Sequence, residues 1–142
     1  MVSKTYLVPV DFSKGSEMAL DQAIKMAREN RGKLLLVHVI STNYAFPMED
    51  GFSNIFEILE KNARDSMQAL IRRKRLKPRQ YRSVLIVGIS PAEVIATLAK
   101  KSRAAMIIMG SHGRTGFQRF MLGSVAERTL RHAHCPVLIV KK

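Results

Sequence analysis

Between Met109 and Val125 the chain reads MGSHGRTGFQRFMLGSV, and the glycines at 110, 113 and 123 with the serine at 124 are spaced for holding phosphate. A glycine lacks the side chain that would keep an anion away from backbone N–H groups. Ser124 and Val125 begin a short helix, whose unpaired N–H groups and positive dipole end attract negative charge, and Ser124 adds a hydroxyl. Arg114 and Arg119 place two cations nearby. The pattern of glycine, two residues, glycine, nine residues, glycine-serine is neither a P-loop, which needs Gly-Lys-Ser/Thr, nor a dinucleotide GxGxxG fingerprint. A surface loop with a capping serine is the competing reading. A long loop with glycines at both ends is costly to order unless it wraps something, which favours the ligand.

Other reactive side chains carry less. His38 sits inside an apolar run and reads as a satisfied core histidine; His132 and His134 flank a helix end where a cation is favourable. No zinc spacing is present. Cys135 starts an apolar run and reads as an inert, buried thiol. No nucleophile–base pair stands out, and His112 is the one residue positioned as a general base, so the sequence points to a binder more than to an efficient enzyme.

The elements that must position these residues alternate. Tyr6 to Val10 reads as a buried strand, followed by a helix capped by Ser13, with Leu20, Ala23, Ile24 and Ala27 at helical spacing and Gly32 as its stop. Leu34 to Ile40 is a second buried strand. After a loop through Pro47 and Gly51, Phe52, Phe56, Leu59, Ala63, Met67 and Leu70 line one face of a long helix. Ser83 to Val87 is a third strand, Ser90-Pro91-Ala92-Glu93 a capping box opening a third helix, Ala105 to Met109 a fourth strand, Ser124 to Glu127 a second capping box, and Val137 to Val140 a fifth strand. Strand–helix alternation without hairpin signals is α/β: an open parallel sheet with helices on both faces, in one domain over 1–142. In such sheets ligands bind at the carboxyl ends of the strands where the winding reverses.

Composition bounds the rest. The 142 residues are 46% hydrophobic, enough for one well-buried core, and too apolar for a disordered chain. One cysteine allows no internal disulfide, the opening residues lack the apolar stretch of a secretory signal, and no apolar run is long enough to span a bilayer. The expectation is a cytoplasmic protein. The formal charge is +13, and all of the surplus falls after residue 71. The stretch Arg72 to Arg82 holds much of it, and it reads as a solvated helix end, with a nucleic-acid patch as the alternative.

Three blocks of the chain resemble the universal stress protein family, specifically its ATP-binding branch: Leu7-Val8-Pro9-Val10-Asp11-Phe12-Ser13, Leu36-Val37-His38-Val39-Ile40, and Ile107 to Val125 joined to Cys135-Pro136-Val137-Leu138-Ile139-Val140. The resemblance covers essentially the whole sequence and includes the glycine-serine pattern of the nucleotide-binding members. It implies a Rossmann-like five-stranded sheet in the order 3-2-1-4-5, with Asp11 and Gly110 side by side across the switch point. It further implies that Val39 pairs its backbone with an adenine edge, that Pro9 and Val10 flank the base, that Met109 is a further nucleotide-binding residue, and that Asp11 serves the ribose or a Mg²⁺ arriving with ATP. Gly110, His112, Gly113, Arg114, Gly123, Ser124 and Val125 would hold the phosphates, ADP or AMP being alternatives to ATP. A homodimer through Val137, Leu138, Ile139 and Val140 and a regulatory role in stress are also implied. The alternatives are a basic nucleic-acid-associated protein and a slow ATPase or autophosphorylating enzyme. One departure is the Arg103-Ala104-Ala105 stretch, where many members carry an acid.

Overall fold

The computed structural model describes residues 3–42, 52–113 and 121–141, with backbone alone at 52–54. The loop through Pro47 and Gly51, and Arg114 and Arg119, lie outside them. Strands β1 (Thr5–Pro9), β2 (Lys33–Ser41), β3 (Tyr81–Gly88), β4 (Met106–Gly110) and β5 (Val137–Val140) form one parallel sheet in the order β3-β2-β1-β4-β5. They are joined by helices α1 (Lys14–Glu29), α2 (Phe52–Arg73), α3 (Pro91–Lys101) and α4 (Ser124–His132). The α/β expectation and its strand order hold.

Strand alternation divides the core. Tyr6, Val8, Leu34, Leu36 and Ile108 point to one face, where α1 and α2 cover them with Leu20, Ala23, Met67 and Leu70. Leu7, Leu35, Val37, Ile107 and Met109 point to the other, against Ile95 and Ala99 of α3 and Ala126 of α4. The chain steps from β1 outward to β3 over the first face. It then returns over the second face through α3 to β4, beside β1. Right-handed crossovers require this change of face, and it opens a crevice between the carboxyl ends of β1 and β4.

Helix ends depart from the sequence expectation in instructive ways. Ser13 does cap α1, its Oγ accepting the Ser16 N–H at 3.2 Å. At the other end Gly32 N–H reaches the Ala27 carbonyl at 2.8 Å, but the residue in the left-handed region is Arg31. Gly32 is needed for space, since a Cβ there would lie 2.7 Å from the Tyr6 ring. The same closure recurs at α2, Leu76 N–H to Ile71 carbonyl with Arg75 at φ 55°, and at α3, Ala104 N–H to Ala99 carbonyl with Arg103 at φ 52°. Neither expected capping box forms: Ser90 sits at the α3 N-cap without a side-chain bond, and the α4 N-cap is Gly123, which makes Ser124 the first helical residue.

Helix α2 buries Ala63, Met67 and Leu70 as expected, whereas Leu59 is 41% exposed, along with Ile55 and Ile58. With 22 residues the helix is about 33 Å long, against about 26 Å for β3, so its first turns overhang the sheet. The basic stretch extends beyond the helix end, through the 3-10 turn Pro78–Gln80 and into β3 at Arg82. Within it, Arg73 pairs with Glu17, and Lys74 bridges to Asp21 at 2.8 Å and Glu17 at 3.5 Å, tying α2 to α1.

The left-handed arginines give a direct test. A residue with a Cβ pays about 1 kcal/mol or more in that region, and glycine does not. Replacing Arg31, Arg75 or Arg103 by Gly should each raise unfolding free energy by about 0.5–1 kcal/mol in urea titration, and Arg31→Val should lower it.

Candidate functional site

The crevice is a cavity of about 360 Å³, within the range of small-molecule sites. Three strand ends and three helix starts enclose it: Pro9, Val10 and Asp11 at the end of β1; Val37, His38 and Val39 of β2; Met109 to Gly113 at and beyond the end of β4; Ser16 of α1; Pro91 and Ile95 of α3; and Gly123 to Ala126 at α4. Pro9, Val10, Asp11, Val39, Met109, Gly110, His112, Gly113, Gly123, Ser124 and Val125 were all candidates in the sequence, and one cavity brings them together. Arg114 lies outside the described residues.

One end of the cavity is apolar, bordered by Val10, Val37, Val39, Ile95 and Met109. The β1–β2 ladder closes with Pro9 opposite Val37, followed by a bond from Val10 N–H to the Val37 carbonyl at 2.7 Å. Backbone groups alternate sides along a strand, so those of Val39 turn the same way as those of Val37, toward β1 but past the last β1–β2 pair. His38 takes the opposite side. Its Nδ1 donates to the Val10 carbonyl at 2.6 Å, and its ring stacks on Phe12 with centroids 4.7 Å apart. This bears out the satisfied histidine, although its ring also borders the cavity, which sequence alone did not indicate.

The turn from β1 to α1 passes through Phe12, which is held at φ 66°. Such strain persists where surrounding bonds fix it. Here Asp11 Oδ1 accepts both the N–H of Ser13, at 2.9 Å, and its hydroxyl. Ser16, 5% exposed, closes the turn by donating to the Ser13 carbonyl at 3.1 Å. Asp11 therefore buttresses the cap while its other oxygen, Oδ2, lies toward Gly113.

The polar end is built by close backbone approach. A Cβ on Gly110 would lie 2.8 Å from the backbone of Gly15, so the tip of β4 rests directly on the start of α1. A Cβ on Gly123 would lie 2.9 Å from the Ser111 carbonyl, which instead accepts the Gly123 N–H at 2.7 Å. At these two positions the absence of a side chain also permits contact between chain segments, and the Gly123 N–H is engaged by the Ser111 carbonyl. Gly113 differs, because a Cβ there would meet the Asp11 Oδ2 at 2.6 Å. The N–H groups left without helical partners are those of the first turn of α4, starting at Ser124 and Val125.

His112 Nδ1 lies 3.0 Å from Ser111 Oγ, while its Nε2 is buried without a hydrogen-bond partner among the described residues. Cys135 is half-buried, and burial pushes its thiol up from its ordinary value, outweighing a backbone hydrogen bond with Ile107. It is not an activated nucleophile. Among the described residues no three His, Cys, Asp or Glu side chains converge on a metal position, and no helix is long and apolar enough to cross a membrane. Sequence reasoning missed Ser16, Val37, His38, Pro91, Ile95, Ser111 and Ala126 as lining residues. Pro91 and Ile95 come from a helix whose position over the crevice depends on the crossover, and the sequence near them signals only a helix start.

Residues 3–141 match the profile of the universal stress protein family. Universal stress protein MJ0531 of Methanocaldococcus jannaschii is 33% identical over 141 residues, covering 98% of this chain and 82% of its own length. The solved structure of MJ0577 from the same organism superimposes with a TM-score of 0.87 at 30% identity, covering 100% of this chain and 98% of its own. A universal stress protein solved in complex with cAMP aligns with a TM-score of 0.63 at 25% identity, covering 99% and 98%.

The two kinds of glycine contact predict different outcomes. Gly110→Ala should destabilise by about 2–3 kcal/mol in chemical denaturation, because rigid backbone on both sides must move. Gly113→Ala should cost under about 1 kcal/mol, since a side-chain carboxylate is what it meets. Equal costs would contradict this reading of the β4 tip.

Proposed function

The chain belongs to the universal stress protein family, and on that footing we propose that it binds ATP in the crevice between β1 and β4 as a regulatory protein. The observation that carries the proposal is the pairing, in one cavity, of an apolar slot with a helix N-terminus. The adenine ring lies between Pro9, Val10, Met109 and Val39, and its edge meets the outward backbone groups of Val39. The ribose reaches Asp11. The phosphates run along Gly110, His112 and Gly113 to the N–H groups of Ser124 and Val125 and the Ser124 hydroxyl, with Gly123 holding that helix start in place. Arg114, next to Gly113 in sequence, is the further phosphate ligand that the sequence suggests. The cAMP complex of a relative supports an adenine nucleotide as the ligand class.

Mg²⁺ enters with the nucleotide. Among the described residues Asp11 is the one carboxylate bordering the cavity, so it would hold the metal together with phosphate oxygens and retained water. The regulatory reading rests on the engagement of the nearest polar groups. Asp11 Oδ1 is occupied by Ser13, His112 Nδ1 lies beside Ser111 Oγ, and His112 Nε2 is buried away from solvent. Phosphate release well above background that disappears with the nucleotide-binding variant below would overturn the regulatory reading. The site lies at strand ends of a cytoplasmic protein.

The proposal extends to a homodimer through β5. Val137, Leu138, Ile139 and Val140 pair with β4 on one side, and their side chains are half-buried. The carbonyls of Pro136 and Val140 accept bonds from Ile107 of β4 and from Ser111 just after it, so by alternation the N–H groups of Val137 and Ile139 face outward. A second copy satisfies them and removes an apolar edge.

Two measurements check these assignments. Ser124→Glu adds a carboxylate where negative charge favours the helix but opposes phosphate. Calorimetry with Mg-ATP should show at least a ~100-fold loss of affinity at unchanged melting temperature, and unaltered affinity would sink the phosphate assignment. Ile139→Pro removes an outward N–H while sparing the β4 ladder. Light scattering should find the wild type as a dimer and the variant as a folded monomer; a monomeric wild type would refute the interface.

A further inference from the structure

The cavity occupies one pole of the sheet. Because the helices run antiparallel to the strands, the C-termini of α1, α2 and α3 converge with the strand starts at the opposite pole, and that pole is basic. Arg31, Arg75 and Arg103 project from the helix ends, all exposed and all in the left-handed region. Lys4, Lys33 and Arg82 mark the starts of β1, β2 and β3, adjacent strands about 4.8 Å apart, and all three are exposed. Lys77 and Arg79 extend the patch through the exposed turn before β3, and Lys100 and Lys101 through the last turn of α3. Among the described residues none of these ten cations forms an ion pair. The acid at these helix ends is Glu29, whereas Glu93 and Glu127 lie in first turns at the cavity pole.

Helix dipoles account for part of this, since a cation in the last turn is favourable. They do not account for arginine at three positions where glycine is the less strained choice, nor for cations on strand starts. We propose that this pole docks the phosphate backbone of double-stranded nucleic acid, independently of the nucleotide site. Duplex is favoured over single strand because, among the described residues, no exposed aromatic side chain stands among these cations to stack on bases; Tyr81 packs against the core and Tyr6 is buried in it. Nucleic acid is favoured over an anionic membrane because insertion needs apolar side chains between the cations. Among the described residues the exposed large apolar side chains lie elsewhere: Ile55, Ile58 and Leu59 in the first half of α2, Val87 and Ile89 at the end of β3, and Met121 and Val125 near the start of α4. Leu130, in the last turn of α4, is the exception.

Fluorescence anisotropy with a labelled mixed-sequence duplex of about two helical turns tests this. About five phosphate contacts should give a slope near −4.5 in log K against log salt, several-hundred-fold weaker binding between about 50 and 200 mM salt, and no dependence on sequence. The triple variant Arg31→Gly, Arg75→Gly, Arg103→Gly keeps its helix closures, so it folds. It should bind at least ~10-fold more weakly, with a slope smaller by about 3. Lys77→Glu with Arg79→Glu, in an exposed turn, should weaken binding likewise, and Ser124→Glu should leave it unchanged. The proposal is overturned if the wild type does not bind duplex at about 50 mM salt, if the triple variant retains wild-type affinity and slope, or if phosphatidylserine vesicles bind more tightly than duplex.

Discussion

The hydrogen bond from the Gly123 N–H to the Ser111 carbonyl, 2.7 Å long, is the constraint on which the site depends. It fixes the start of α4 to the tip of β4 at a separation that a side chain on Gly123 would prevent. The chain leaves β4 at Gly110, which rests on the backbone of Gly15, and returns at Gly123 to the same strand tip. Two glycine contacts thus lock three elements, β4, α1 and α4, around one corner of the crevice. With that corner fixed, the first N–H groups of α4 border the same cavity as the apolar ends of β1 and β2.

The opposite wall depends on a second closed circuit. His38 donates to the Val10 carbonyl, Asp11 holds Ser13, and Ser13 caps α1, so β2, the β1–α1 turn and α1 are linked through short local bonds. The left-handed Phe12 is the strained point of this circuit, and its ring lies against His38. Strain there is sustained because the bonds on either side of it leave the turn little freedom.

Strand alternation, buried apolar runs and the glycine-serine spacing made the fold and the crevice legible in the sequence, because each is a local pattern with one economical three-dimensional solution. What was not legible depends on contact between distant segments. The spacing of Gly110 and Gly123 suggested phosphate access, but it gave no sign that both also pack closely on other segments, Gly110 on Gly15 and Gly123 on Ser111. Ser90 and Ser124 fit the capping-box pattern, but the box requires a side-chain rotamer and an N-cap position that tertiary packing did not grant. Leu59 fits the helical stripe, but a stripe says nothing of where the sheet beneath it ends. The same parallel topology also gives the molecule two poles of different character, one of helix N-termini and glycines, the other of helix C-termini and cations.

Native mass spectrometry of the protein with and without Mg-ATP tests the central claim most directly, because it reads bound mass on the intact fold. The account predicts one adenine nucleotide on each chain. A folded protein that takes up no nucleotide at saturating Mg-ATP would contradict it, and would leave the pinned corner of β4, α1 and α4 as a purely structural device.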